Sequence, residues 1–107
     1  MSADARTEFD AIGSALAAVA PVAASKMFGM PCLKVEGKAF ASLYGEAMVF
    51  KLDADSRPGA LALPGAQLFD PMGGRPMKEW VEVPAAQAAH WGTLAQQALA
   101  YVGPPRR

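Results

Sequence analysis

The stretch CLKVEGKAFASLYGEAMVFKL, residues 32–52, decides the fold. Apolar residues recur along it at nearly every second position, the period of a strand with one buried face. Residues 32–35 read as one strand, with Leu33 and Val35 on one face and Cys32 and Lys34 on the other. Glu36-Gly37 makes a tight turn, where glycine takes positive φ without strain. Residues 38–43 form the next strand, Tyr44-Gly45-Glu46 the next turn, and residues 47–52 a further strand. Strands joined by turns this short run antiparallel, because a parallel crossover takes roughly a dozen residues. The centre of the chain is therefore an antiparallel meander.

Working upstream, residues 25–28 give a short first strand, broken or bulged by Gly29-Met30-Pro31. Residues 3–19 read as a helix, because Phe9, Ile12, Leu16 and Val19 make one apolar stripe. Ser2 or Asp4 caps its start, Gly13 marks close packing, and Pro21 ends it or opens the next turn. Working downstream, Asp55 or Ser56 caps a short helix within residues 53–63. Residues 64–76 carry three glycines and three prolines and read as loop, with a small element at 67–69. Residues 77–83 return to strand character. Pro84 opens a closing helix that runs to Val102, with Trp91, Leu94, Ala95, Ala98, Leu99 and Val102 as its apolar stripe and Gly103 as its stop. The expected class is α+β: an antiparallel β-sheet meander flanked by N-terminal and C-terminal helices, as a single domain over residues 1–107.

Composition narrows the function. A chain of 107 residues with 52% hydrophobic content buries a core, and its size is that of one domain. Ten basic residues balance ten acidic ones, which argues against a generic basic nucleic-acid binder but leaves local patches open. A single cysteine, Cys32, excludes an internal disulfide framework. With one histidine, His90, beside it, a His/Cys zinc site falls short of its three or four ligands, so no metal and no cofactor are expected. The N-terminal MSADARTEFD lacks the basic region of a secretory leader. The longest apolar run, residues 15–24, is about half the roughly 20 residues that span a bilayer. A cytoplasmic protein with no membrane partner is expected.

Four segments carry a family resemblance: Lys26-Met27-Phe28-Gly29-Met30, then Leu33-Lys34-Val35-Glu36-Gly37-Lys38-Ala39-Phe40-Ala41, then Val49-Phe50-Lys51-Leu52-Asp53, and later Lys78-Glu79-Trp80-Val81-Glu82-Val83. In this order they resemble the N-terminal domain of the TfoX/Sxy competence-regulator family. They are also similar to the MmcQ/YjbR family, whose small α+β domains share a GK-x-F-A … L-K core. The resemblance spans residues 9–102 and implies a small α+β domain with no catalytic residues to carry over. TfoX-type proteins act in regulation of natural competence, and YjbR-like proteins have been proposed to bind DNA through wing-like hairpins.

The candidate sites follow from the residues. Lys26, Lys34, Lys38 and Lys51 stand against only Glu36 and Glu46 within residues 26–51, a local excess of positive charge in a neutral chain. Lys34 and Lys38 flank one turn and suit phosphate contact by a hairpin wing, with Lys51, Arg75 and Lys78 as further anion-binding positions. The competing reading is a solvated sheet face whose lysines protect its edges. Phe40 and Phe50 belong in the core by burial preference, and Tyr44, in a turn, is the aromatic residue expected at the surface. Cys32, beside Lys34, is either an activated thiol or a small buried hydrophobe. Asp53-x-Asp55 suits either a divalent cation or a helix cap. Glu79 and Glu82 fall on opposite faces of a strand and make no catalytic pair. No nucleophile, base and orienter occur together, so a non-enzymatic module binding nucleic acid or protein is expected. The alternatives are a self-associating protein, a homodimer joined at a strand edge, or a small-ligand protein with a pocket near Trp80 and His90.

Overall fold

Two turns set the meander. Glu36 and Gly37 both have positive φ, 51° and 82°, which is the type I′ geometry whose twist matches the flanking strands. Gly45, with φ of 60°, takes the first position of the following two-residue turn. The computed structural model describes residues 5–27, 29–70, 73–74 and 77–103. Its elements are α1 (Ala5–Ala17), β1 (Val22–Met27), β2 (Met30–Val35), β3 (Lys38–Tyr44), β4 (Ala47–Lys51), α2 (Arg57–Leu61), β5 (Gln67–Phe69), β6 (Met77–Pro84), a 3₁₀ helix (Ala85–His90) and α3 (Trp91–Val102). All six strands form one antiparallel sheet in the order β1-β2-β3-β4-β6-β5. This is the α+β class expected, with the segment at residues 67–69 serving as the sheet's last strand.

Both long helices lie on one face. α1 packs over β1, β3 and β4, α3 packs over β3 and β4, and the two helices touch. Beneath them Phe40, Met48, Phe50, Leu52, Val81, Val83 and Trp91 are fully buried. Trp91 Nε1 donates to the Val83 carbonyl at 3.2 Å, so the largest core side chain also ties α3 to β6. Gly13 sits where a Cβ would come within 2.9 Å of Leu33 Cδ2, which explains a glycine inside α1 as close packing on β2. The opposite face holds a second, smaller cluster of Val49, Phe69 and Trp80, flanked by Met30, Ala39 and Met77.

A bulge interrupts the alternation of β3. Leu33 pairs with Ala41 and Lys34 with Ala39, leaving Phe40 as the extra residue of β3. Phe40 and Ala41 are thus consecutive and both reach the helix-side core.

Three expectations are corrected. The first helix ends at Ala17, not at residue 19, and the backbone closes with Val19 and Ala20 N–H groups donating to the Leu16 carbonyl. Val19 therefore leaves the apolar stripe and is 75% exposed. The first strand begins at Val22, three residues earlier than expected, directly after Pro21. The closing helix is two pieces: a 3₁₀ stretch after Pro84, interrupted at Gln87 (φ −106°, ψ 23°), then α3. Ser2 and Asp4, expected as caps, and Phe28 lie outside the described residues.

Candidate anion-binding end of the sheet

Topology brings the singled-out lysines to one end of the sheet. In an antiparallel order the start of β3, the end of β4 and the start of β6 share an end with the β2–β3 turn. Lys34 and Lys38 flank that turn, Lys51 ends β4 opposite Trp80, and Lys78 begins β6. Lys38 and Lys78 are exposed, and Lys34 is half-buried. Arg75 lies outside the described residues.

The register separates two of these charges. Lys34 pairs with Ala39, which packs in the smaller cluster, while Lys38 pairs with Val35, which packs in the helix-side core. Opposed residues of an antiparallel pair share a face, so Lys34 and Lys38 project to opposite sides of the hairpin. They form a two-sided tip, not a flat patch.

Lys51 carries a partner. Its Nζ lies 3.6 Å from Glu79 Oε1, with the two side chains 34% and 42% exposed. Glu79 also accepts a 2.6 Å hydrogen bond from the Tyr101 hydroxyl at the end of α3. That hydrogen bond is the largest reason the Glu79 carboxyl titrates below its ordinary value; Lys51 and Arg57 add to it and desolvation opposes it. Tyr101 is held above its ordinary value by the same bond. Arg57 Nη2 and Nε donate to the Leu52 carbonyl at 3.3 and 3.4 Å. The sequence pattern did not reveal this Tyr101–Glu79–Lys51 link, whose members are distant along the chain. The one available signal was the spacing of Leu94, Ala98 and Tyr101, which puts the phenol at the rim of the buried stripe.

The other singled-out residues resolve individually. Cys32 is fully buried, and burial pushes its thiol up against the opposing pull of Lys34, so it behaves as a small core residue. Ser42, its cross-strand neighbour, is buried with its hydroxyl donating to the Pro31 carbonyl at 2.8 Å. Asp53 Oδ1 accepts from the Ser56 N–H at 2.8 Å, the main cause of its lowered pKa. It thus does the capping expected of Asp55 or Ser56, and Ser56 at the N-cap makes no side-chain cap bond. Tyr44 is 38% exposed, as expected, with its ring edge-on to Phe69 at 5.0 Å. Glu79 turns to α3 while Glu82 pairs with Val49 and Gln67, so the two stay apart.

The pocket expected near Trp80 and His90 is a correction. Trp80 packs with Val49 and Phe69 on the face opposite the helices, while His90 is exposed at the start of α3. The sheet stands between them. His90 instead borders a shallow depression of about 220 Å³ with Ser56, Thr93 and Gln97. A larger apolar groove of about 570 Å³ runs between the ends of α1 and α3, lined by Leu16, Val19, Pro21, Val35, Leu99 and Ala100 among others. Among the described residues no three His, Cys, Asp or Glu side chains gather as a metal site requires. No helix among them is long and apolar enough to cross a membrane.

These features define a small α+β domain with one helix-covered antiparallel sheet. Residues 14–100 match the model of the TfoX N-terminal domain family, and the chain belongs to that family. Comparison with the curated proteins gives no match, and comparison with the solved structures gives none.

Proposed function

We propose that this domain is a non-catalytic, cytoplasmic binding module whose two-sided hairpin tip contacts the phosphate backbone of a nucleic acid. The observation behind this reading is the placement of Lys34 and Lys38 on opposite faces of the β2–β3 tip, with Lys51 and Lys78 at the same end of the sheet. A two-stranded ribbon fits the major groove, whose two walls are phosphate backbones. One lysine on each face of the ribbon gives each wall a cation. Such contacts position a protein without reading bases, so weak, salt-sensitive and sequence-tolerant binding is expected.

Titration of the purified chain against short fluorescent duplex and single-stranded DNA at two salt concentrations tests the reading. With about three phosphate contacts, log K falls with log salt at a slope near −2.7 on duplex DNA. The double variant Lys34→Glu, Lys38→Glu should abolish binding and leave the circular dichroism spectrum unchanged, because neither side chain is buried. Binding that survives the reversal overturns the hairpin reading. No binding at low salt overturns the nucleic-acid reading altogether.

A further inference from the structure

The sheet has two edges, and only one is protected. β5 has three residues, and its register against β6 breaks between Leu68 and Phe69. Short length and a bulge are two of the devices that keep an edge from pairing. β1 has six residues, pairs with β2 in unbroken register, contains no proline, and carries Lys26 as its one charge. Ala23, Ala24, Ser25 and Lys26 are exposed, and among the described residues no strand pairs with the outer edge of β1. An edge of this kind presents a row of unpaired backbone N–H and C=O groups, and the group that satisfies such a row is another strand.

We infer that β1 pairs antiparallel with β1 of a second copy across a two-fold axis, joining two six-stranded sheets into one. Three observations favour a second copy as the occupant. The first is self-complementarity. With the axis at Ala24, each Ala24 opposes its own counterpart, each Ser25 opposes an Ala23 and each Lys26 opposes a Val22. Small side chains meet at the centre, and no lysine faces a lysine. The second is charge. The chain is formally neutral, so two copies meet without long-range repulsion.

The third is continuity. No charged residue occurs from Ala11 to Ser25, and Ser14, Ala15, Ala18, Val19 and Pro21 are exposed along that stretch. α1 packs over β1, so pairing the two edges brings the α1 helices of both copies side by side. The uncharged end of α1 and the groove beside it, about 570 Å³ in volume, then border the joined strands. The longest apolar run of the sequence thus supplies surface at the place where the open edge requires a partner.

Sedimentation of the full chain over a concentration series tests the inference. A dimer of twice 11.2 kDa is expected at roughly 100 µM, well above the micromolar dissociation constants of stable pairs. The double variant Ala24→Lys, Ser25→Lys opposes lysines across the axis and should weaken the dimer about tenfold or more, with an unchanged circular dichroism spectrum. Lys26→Ala, which removes the one edge charge, should tighten it. Amide exchange in β1 should slow as concentration rises. A wild-type chain that stays monomeric at that concentration overturns the inference, and so does a dimer indifferent to both variants. Dimerisation here is insensitive to moderate salt, which separates it from the hairpin's nucleic-acid contact.

Discussion

The two faces of the sheet are closed in different ways. On one, two helices lay apolar stripes over Phe40, Phe50, Val81 and Val83, and Trp91 is both packed and hydrogen-bonded to the Val83 carbonyl. On the other, the end of a three-residue strand folds one ring, Phe69, against Val49 and Trp80, with Tyr44 edge-on beside it. The first face is held by many long-range contacts that fail together. The second depends on a few side chains near solvent, and it can loosen locally without global unfolding. A small domain can thus bury both sides of a sheet while committing its cooperative core to one of them.

Truncation tests this contrast most directly. Phe50→Ala opens a void in the middle of the helix-side core and should destabilise the domain by about 4 kcal/mol in urea unfolding. Phe69→Ala removes a ring of equal size, but its rim collapses more easily. We expect about 2 kcal/mol, with exchange at β5 and Tyr44 rising first. Equal costs would erase the distinction between the faces.

Gly13→Ala sharpens the helix side. On an exposed helix the change gains about 1 kcal/mol. Here the new methyl meets Leu33 Cδ2 at 2.9 Å, and Leu33 is itself packed. The gain should vanish or reverse by up to about 1 kcal/mol, because a well-packed core resists added volume. A full gain in thermal unfolding would show that α1 and β2 are loosely apposed.

The smallest effect lies at the rim of the helix face, where Tyr101 reaches Glu79. The folded Glu79 pKa is depressed, so its stabilisation is present above its unfolded value of about 4.3 and is lost as pH falls through the lower folded value. Tyr101→Phe removes the largest cause of that depression. The carboxyl titration followed by NMR should move up toward the ordinary range, with only a slight change in stability because the pair is solvent-accessible. A carboxyl that does not move would mean the phenol contributes nothing to the link.

The face closed by helices was legible in the sequence because its signals are periodic. The alternation through residues 32–52 and the spacing of Trp91, Leu94 and Ala98 each mark one buried side. The other face was legible only in fragments. Phe69 sits in a proline- and glycine-rich segment, and nothing local indicates that its ring packs against Trp80. Val19 was misplaced for a related reason: the helical period continues through it, but the backbone turns after Ala17 toward Pro21. The lysines were found as residues but not as an arrangement. Flanking a turn suggests two charges acting together, whereas the pairing of Val35 with Lys38 sets them on opposite faces.

The bulge at Phe40 also marks a place where the chain can change length. A residue lost inside a strand ordinarily reverses inside and outside along it. Loss of Phe40 is the exception: Leu33 would still oppose Ala41, Lys34 would still oppose Ala39 and Lys38 would still oppose Val35, so the ladder becomes regular and no face is reversed. What such a deletion removes is one fully buried ring from the helix-side core.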